Sequence, residues 1–501
     1  MTVRTHSSQD SIDLALKSKV PKRVLKIKPY PQAQVTHSSE HISLLDKEAP
    51  PIRFNGLANF SMLLLGGMMI RLILENYLKY GLLIKLPGFE IQRVDWLTLV
   101  TCTFNLITNF LVSYAIEKYA AKSAIAFVKK GASFKQNELL AVDISTNKWI
   151  LLSQMFLVFY NIFLPSVLVY KYMRHPLVGS LVMTFSVILS LKIFSYAMTN
   201  LDLRRAYMNG DEKLEDDILS QTKLSDMKIV LNDTKIKTSN IHPIKYDVSY
   251  PDNITLSSYM YFWAAPTFCY QPSYPRNKGP IRWGFVARRL FEILFCGTLM
   301  YCVCQQYAYP TLVNSVKAVE TKNQAWISER VLKLSVVVSM LWLIGFYALF
   351  HSILNINAEL LGFSDRNFYL SWWNSSDLGS YWREWNLPIH NFCKRHIMSP
   401  LTSPPLSLSI DLGVFFTFFI SAVLHELIFG IPTRSLKGYS FFGMILQIPL
   451  INLTSYVTKI RGPDSNIGNT LFWISFCIIG QPFLVLQYFY DWVEYGNAIN
   501  T

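Results

Sequence analysis

The chain has 501 residues, of which 51% are hydrophobic, and its mean hydropathy is +0.25. This composition argues against a string of soluble domains and indicates a protein that crosses a membrane several times. The formal net charge of +14 is best explained by basic loops that orient the chain and meet anionic lipid, so we expect no nucleic-acid partner. Seven cysteines without a CxxC pair suggest neither a disulfide framework nor a metal site.

The chain begins with a polar segment, residues 1–52, that is basic and rich in Ser and Lys. We expect it to be a flexible cytosolic arm without a signal peptide, followed by a membrane-embedded domain over 53–501. Runs of about 20 apolar residues predict an all-α polytopic protein with about nine transmembrane helices. These spans are predicted near 57–79, 96–117, 148–171, 176–199, 284–312, 328–353, 408–431, 438–459 and 469–491.

Lys and Arg concentrate in the N-terminal arm and in the segments 118–147 and 202–283. An even number of predicted spans separates each pair of these basic segments, so all three are expected on the cytosolic side. The same count makes 354–407 a second cytosolic loop beside 202–283 and places the C-terminus in the lumen.

Four Asn-x-Ser/Thr sequons are present, and the predicted topology puts three in cytosolic loops and the fourth within a span. We therefore expect none to carry a sugar; they are Asn232, Asn253, Asn374 and Asn452.

His425 is the polar residue that the sequence singles out within an apolar span. It follows Asp411 by fourteen residues and precedes Pro432 by seven, which places it about 21 Å and about 10 Å from these points along a helix. An ionisable group at that depth is costly unless it faces the protein interior or a water-filled cavity. Function is the favoured interpretation, and a neutral histidine bonding a neighbouring helix is the alternative.

Two neighbours of His425 are polar as well. Ser421 lies one turn before it on the same helix face, which allows a nucleophile and base pair but more often means a hydroxyl bonded to the preceding turn. Glu426 points about 100° away, so we expect it to anchor a neighbouring helix or loop in preference to sharing the proton.

An amphipathic helix is predicted after the sequence FYLSWWN (368–374), because Leu378, Tyr381, Trp382 and Trp385 recur at helical spacing. We expect it to lie in the cytosolic membrane interface, with its tryptophans at headgroup depth. Lys394, Arg395 and His396 then form a cationic end suited to phosphates. Periodicity alone favours an interfacial anchor beside anionic lipid.

Several ordered blocks of the sequence are similar to one known family. They are ENYLKYG (75–81), SLKIFSYAMTNLDLR (190–204), YPDNITLSSYMYFWAAPTFCYQPSYPR (250–276), QQYAYPTL (305–312), FYLSWWN (368–374), WNLPIHNFCKRH (385–396), SAVLHELIFGIP (421–432), FFGMILQIPL (441–450) and IIGQP (478–482). With them the chain resembles the membrane-bound O-acyltransferase superfamily, and within it the type-1 diacylglycerol O-acyltransferases, in particular their fungal members.

The resemblance implies an endoplasmic-reticulum enzyme, a homodimer, that transfers a fatty acyl group from acyl-CoA to diacylglycerol without a metal or other cofactor. It implies catalytic roles for His425 and Asn374. Ser371 stands where the family often has aspartate, and Asn391 replaces a commonly basic residue, so individual phosphate contacts stay open. Substrate contacts are expected at Trp373, Tyr381, His390, Lys394, Arg395, Ser421, Glu426, Met444, Gln447 and Gln481.

Two other functions stay open at this point. A sterol O-acyltransferase would share the histidine, the asparagine and the fold and differ in the acceptor pocket. A lipid transporter or scaffold would bind acyl-CoA without turning it over.

Overall fold

The computed structural model describes residues 55–85, 91–130, 136–209, 248–277, 279–462 and 467–500, and within these ranges the chain is helical, with no β-strand. The predicted arm 1–52, residues 210–247 of the loop 202–283 and the sequon at Asn232 lie outside these ranges.

The α-helices follow one another along the chain. They are α1 Asn55–Tyr80, α2 Arg93–Lys130, α3 Gln136–Tyr172, α4 Pro176–Asn209, α5 Leu256–Ala264, α6 Trp283–Val303, α7 Tyr309–Glu320, α8 Gln324–Phe346, α9 Leu354–Leu360, α10 Leu378–Glu384, α11 Leu387–Cys393, α12 Ser399–Thr402, α13 Ile410–Thr433, α14 Tyr439–Ile445, α15 Gln447–Arg461, α16 Ile467–Phe472 and α17 Gln481–Asn500. Wider π-helical turns join several of them, at Cys304–Ala308, Tyr347–Ile353, Lys394–Met398 and Trp473–Gly480, and Trp372–Asn374 forms a 3₁₀ turn.

Eight helical stretches in the described ranges are long and apolar enough to cross a membrane. They coincide with eight of the nine predicted spans, which confirms the all-α polytopic class. The eight stretches are Asn59–Tyr80, Arg93–Lys129, Asn147–Tyr172, Pro176–Asn209, Gln324–Leu360, Ile410–Thr433, Tyr439–Arg461 and Ile467–Gly496.

The remaining predicted span, 284–312, is helical but falls outside that set. Arg288, Arg289 and Glu292 in its first turns make it less apolar than the others. Its helices, α6 and α7, nevertheless run antiparallel to α8 and α9, because Arg282 binds Glu359 at one end and a tight turn at 321–323 joins the helices at the other. The two runs therefore match in length.

Residues 55–75 form a contact unit of their own, apart from 76–501. They make up most of α1, and large apolar side chains such as Met62, Leu63 and Leu65 are exposed along it. Arg71 and Glu75 form a surface ion pair one turn apart, at 3.9 Å. Such a helix is suited to contact with lipid.

A buried polar network ties α2, α3 and α4 together. Arg204 donates from Nη1 to Glu117 Oε2 at 2.9 Å and from Nε to Asn147 Oδ1 at 2.7 Å. Gln154 Nε2 donates to the other carboxylate oxygen of Glu117 at 3.3 Å. The side chains of Arg204 and Glu117 are only 2% and 1% exposed, so each charge depends on the other for compensation.

Lys192 provides a second polar anchor, between α4 and the end of α5. Its Nζ donates to the carbonyls of Phe262, Trp263 and Ala265 at 2.8–2.9 Å. The last carbonyls of a helix lack partners within it and carry partial negative charge, so the ammonium group satisfies them and fixes α5 in place.

The sequon residue Asn253 is buried, with 2% of its surface exposed. Its amide donates to Asn200 Oδ1 at 2.9 Å and to Tyr270 Oη at 3.2 Å. This burial supports the expectation that Asn253 carries no sugar, since an oligosaccharide on this nitrogen would replace one of its two donor hydrogens and would need space that the buried site does not have.

His396 is half-buried at the junction between α4 and the π-helical turn Lys394–Met398. Its Nε2 lies 2.7 Å from Ser195 Oγ, which also accepts the N–H of Tyr270 at 2.8 Å. Burial, with a contribution from the neighbouring Arg395, lowers the pKa of His396 to about 3. The prediction that His396 adds to a cationic end is therefore wrong: the imidazole is neutral and shares a hydrogen bond with the Ser195 hydroxyl.

Removing one partner of the buried pair should destabilise the fold strongly. Glu117→Ala leaves Arg204 charged in a buried site, and we expect the loss of roughly 3–5 kcal/mol of stability, seen as a lower melting temperature in detergent. Glu75→Ala is the matched control, because its exposed pair with Arg71 contributes little. Equal melting temperatures for the two variants would contradict the role assigned to the network.

The His396 site should make stability depend on pH. Because its pKa is about 3 when folded and 6.5 ordinarily, the unfolded chain binds a proton between these values that the folded chain does not. Its contribution to stability is thus present above pH 6.5 and is lost as the pH falls toward 3. We expect the melting temperature to fall from pH 7 to pH 5, and to fall less in His396→Gln. Identical pH slopes in the two proteins would count against this explanation.

Candidate active site

Helix α13 carries His425 and forms the axis of the candidate site. It begins where Ser409 Oγ accepts the N–H of Leu412 at 3.3 Å, and it ends at Arg434, whose φ of +56° turns the chain away. Around it pack α3, α4, α14, α15 and α17 together with the π-helical turn Lys394–Met398. His425 therefore lies in the middle of a helix that other helices contact along part of its surface.

The hydrogen bond of His425 determines which of its nitrogens is free. Nδ1 lies 2.7 Å from the backbone carbonyl of Ser421, one turn earlier on the same helix. A carbonyl can only accept, so Nδ1 carries the proton, and in the neutral ring Nε2 keeps an unprotonated lone pair. The geometry thus presents a proton acceptor at Nε2 and fixes the ring by its opposite edge.

Ser421 lies beside the same nitrogen and has a weaker contact with it. Its Oγ is 3.3 Å from His425 Nδ1, which already donates to the Ser421 carbonyl. A protonated Nδ1 cannot remove the hydroxyl proton, so this geometry does not form a nucleophile and base pair.

Glu426 binds the beginning of α14. Its carboxylate accepts the backbone N–H groups of Gly438, Ser440 and Phe441 at 2.9–3.2 Å and the hydroxyl of Tyr488 at 2.8 Å. These bonds satisfy N–H groups at a helix start that have no intrahelical partner, and the negative charge is favourable there. The expectation that Glu426 anchors a neighbouring element is confirmed, while a contact of Glu426 with substrate stays a prediction.

The sequence FYLSWWN contributes to an aromatic cluster packed around α10. Trp372 stands edge-on to Tyr381 with ring centroids 5.9 Å apart, and Tyr381 contacts Phe472 at 4.2 Å. Asp377 caps α10 by accepting the N–H of Ser380 at 2.9 Å. The predicted helix is present, but the idea that its apolar face lies in the membrane interface is wrong, because Leu378 and Tyr381 are each 1% exposed inside this cluster.

Trp382 connects the aromatic cluster to the His425 helix. Its ring meets Phe418 of α13 edge-on at 5.7 Å. Phe418 precedes His425 by seven residues, so the two side chains share one face of α13 and lie about 10 Å apart along it. The FYLSWWN segment therefore adjoins the same helix face that bears His425.

Two buried polar atoms of α10, beside this face, have no protein partner within the described chain: Tyr381 Oη and Trp382 Nε1. Gln481 Oε1, at the start of α17, has none either. Burial raises the pKa of the Tyr381 hydroxyl well above its usual value, so it stays protonated and can donate. Buried polar groups are rarely left unpaired, and each of these is available to a bound molecule.

The other predicted contacts fall on elements that surround α13. Met444 in α14 is buried, and Gln447 at the start of α15 donates to the Gly443 carbonyl at 3.0 Å. Asn374 is exposed, and in the described part of the chain its side chain makes no hydrogen bond, including none to His425. Trp373 beside it is 46% exposed. The structure thus places Met444, Gln447 and Gln481 on helices that pack against α13, the helix that carries His425. It places Asn374 with the aromatic cluster.

The basic residues predicted to meet phosphates lie on a different part of α13. Their π-helical turn, Lys394–Met398, packs near Gly413, twelve residues or about 18 Å along the helix from His425. Arg395 donates to the Tyr270 carbonyl at 2.9 Å and to Thr199 Oγ1 at 3.3 Å, which fixes its position. Lys394 and His390 also each engage a neighbouring protein group.

An apolar cavity of about 390 Å³ lies between α3 and α13. It is lined by residues such as Phe163, Leu427 and Ile431. Leu427 is two positions from His425, about 200° around the helix, so this cavity is on the opposite face from the imidazole.

Two members of the site escaped the sequence analysis. Tyr488 reaches Glu426 from 62 residues further along the chain, a contact that no local pattern indicates. The sequence pattern assigns Trp382 to an interfacial surface. In the structure its ring contacts Phe418, two helical turns before His425, and this contact depends on how α10 packs. Among the described residues, no three His, Cys, Asp or Glu side chains come close enough to hold a metal ion.

Comparison with known proteins identifies the family. Residues 176–489 match the membrane-bound O-acyltransferase family. The chain is 36% identical to diacylglycerol O-acyltransferase 1-1 of Oryza sativa subsp. japonica, over 87% of this chain and 72% of that protein. It is 34% identical to diacylglycerol O-acyltransferase 1B of Glycine max, over 87% and 77% of the two chains, and 33% identical to diacylglycerol O-acyltransferase 1 of Arabidopsis thaliana, over 87% and 73%. The chain therefore belongs to the membrane-bound O-acyltransferase family, in its type-1 diacylglycerol O-acyltransferase branch.

Proposed function

We propose that this protein transfers a fatty acyl group from acyl-CoA to the free hydroxyl of 1,2-diacylglycerol, forming triacylglycerol and CoA. Relatives that bear the name diacylglycerol O-acyltransferase, at 33–36% identity over most of the chain, support the substrate pair. The observation that carries the mechanism is the bond from His425 Nδ1 to the Ser421 carbonyl, because it leaves Nε2 as a proton acceptor inside the helical bundle.

His425 acts as the general base in this proposal. Nε2 takes the proton of the diacylglycerol hydroxyl while the hydroxyl oxygen bonds to the thioester carbonyl carbon. When the resulting tetrahedral species collapses, the carbon–sulfur bond breaks, and the leaving CoA thiolate takes the proton from the imidazolium. Atoms and charges balance without an acyl-enzyme. This agrees with the structure, because Nδ1 of His425 is protonated and cannot remove the hydroxyl proton of Ser421.

The developing negative charge on the carbonyl oxygen needs a hydrogen-bond donor. Asn374 and Gln481 each bring an amide that engages no described side chain, and the Tyr381 hydroxyl and Trp382 indole are buried donors without a partner. These groups support the oxyanion and hold the glycerol backbone. Enclosure by the surrounding helices keeps water from the thioester.

The two substrates reach His425 by separate routes. The anionic end of CoA meets the basic turn of Lys394 and Arg395, and its extended arm follows α13 for the distance of about 18 Å that separates this turn from His425. Diacylglycerol, an apolar lipid, enters sideways from the bilayer.

The proposal includes a location in the endoplasmic-reticulum membrane and a homodimeric state, and the family resemblance supports both. The distribution of Lys and Arg supports a cytosolic N-terminus and a lumenal C-terminus.

The acceptor and the base can be tested in one assay. Purified protein in detergent receives radiolabelled oleoyl-CoA with diacylglycerol and, in parallel, with cholesterol or ergosterol. We expect label in triacylglycerol and a fall of at least about 100-fold in His425→Ala, since a general base contributes that much or more. Label in steryl ester would assign the protein to the sterol branch, and absence of both products from folded protein would support a lipid scaffold.

Direct transfer and an acyl-serine route differ in their dependence on Ser421. Ser421→Ala removes only the weak 3.3 Å contact with His425, so we expect turnover to stay within about tenfold of the parent. The measurement is the same product assay, with protein amount matched by gel filtration. Loss of activity as complete as in His425→Ala would overturn direct transfer.

A further inference from the structure

Two loops far apart in sequence build a basic pocket away from the His425 site. The backbone of Asn277 donates to the Gly362 carbonyl at 2.7 Å, and Ser364 donates to the Pro275 carbonyl at 3.0 Å. The pairing requires φ of +63° at Gly362, where a side chain would be strained. The open pocket between the loops measures about 540 Å³ and is lined entirely by polar residues: Arg276, Asn277, Arg282, Ser364 and Arg366.

The pocket is positively charged. Glu359 accepts two bonds from the Arg282 side chain at 3.0 and 2.8 Å and one from Arg366 at 2.7 Å. Arg276 stacks its guanidinium 4.0 Å above the ring of Tyr261 and makes no ion pair within the described chain. Three guanidinium groups and one carboxylate leave two net positive charges among these four side chains, and Glu359 fixes the positions of Arg282 and Arg366.

An apolar surface begins at the edge of this pocket. Arg282 immediately precedes α6, and the exposed side chains along that helix are large and apolar. They recur at helical spacing and form one face: Trp283, Leu290, Phe291, Leu294 and Phe295, each 50–67% exposed. A basic pocket thus stands at the end of a lipid-facing stripe, with a tryptophan between them as at a membrane interface.

We propose that this pocket binds the phosphomonoester headgroup of a membrane glycerophospholipid whose acyl chains lie along α6. A phosphomonoester carries a charge of about −1.5 to −2 near neutral pH, which matches the two net positive charges, whereas a phosphodiester headgroup supplies only one. Guanidinium groups recognise phosphate oxygens by paired hydrogen bonds. The lipid is bound by residues of both loops and shares none with the groups that surround His425.

Lipid binding to purified full-length protein tests the proposal. Native mass spectrometry in detergent compares dioleoyl phosphatidic acid, dioleoyl phosphatidylglycerol and dioleoyl phosphatidylcholine. We expect phosphatidic acid to bind at least about tenfold more tightly than either diester lipid, as the loss of one charge-assisted contact implies. Equal affinities would overturn the proposal without the need for any variant. Full competition by millimolar inorganic phosphate would also overturn it, because the pocket would then bind the free anion and not the lipid.

A matched pair of variants locates the binding. Arg276→Gln removes a pocket charge without breaking an ion pair, and we expect it to weaken phosphatidic acid binding about tenfold. Arg288→Gln is the control: it lies on α6 with 74% of its side chain exposed, outside the pocket. Undiminished binding in Arg276→Gln, or an equal loss in both variants, would place the lipid elsewhere.

Discussion

The cost of an unpaired polar group at membrane depth shapes this protein. Glu117 and Arg204 neutralise each other, Lys192 binds three carbonyls at the end of α5, and Glu426 caps α14. Each pairing joins two or more helices, so the polar groups that the bundle can least tolerate are also the ones that hold it together. Against that background, an unpaired buried atom marks a place where another molecule belongs.

Two such atoms lie on α10, beside α13. The Tyr381 hydroxyl and the Trp382 indole lack protein partners in the described chain, and the contact of Trp382 with Phe418 puts α10 beside the helix face of His425. The next residue, Glu426, is fully engaged with the N-terminus of α14 and with Tyr488. Two adjacent residues of one helix thus have different roles. Glu426 fixes the helix among its neighbours, and His425 stays accessible to reactants.

The sequence predicted the parts of this arrangement that depend on local spacing. The depth of His425 follows from counting residues along one span, and the orientation of Glu426 follows from the helical turn. What the sequence could not provide was the direction in which α10 faces, because its aromatic stripe suits a membrane interface and a protein core equally well. The neutral state of His396 was missed for a similar reason, since it depends on burial against segments distant in the chain, such as the one that carries Ser195, some 200 residues earlier. The helical segment at 284–312 was predicted from its apolar run, while the partners of its charged first turns could not be, because Glu292 binds Ser352, 60 residues later in the chain.

The backbone bond to His425 also limits what kind of small molecule can occupy this site. Because the Ser421 carbonyl holds the proton on Nδ1, the neutral ring cannot present an N–H at Nε2 without giving up that bond or becoming charged. A compound that offers a hydrogen-bond acceptor to Nε2 would have to meet that cost, whereas an alcohol, amide N–H or other donor would not. The same feature that prepares the histidine to accept a proton therefore selects inhibitors by the polarity of the group that they place against it.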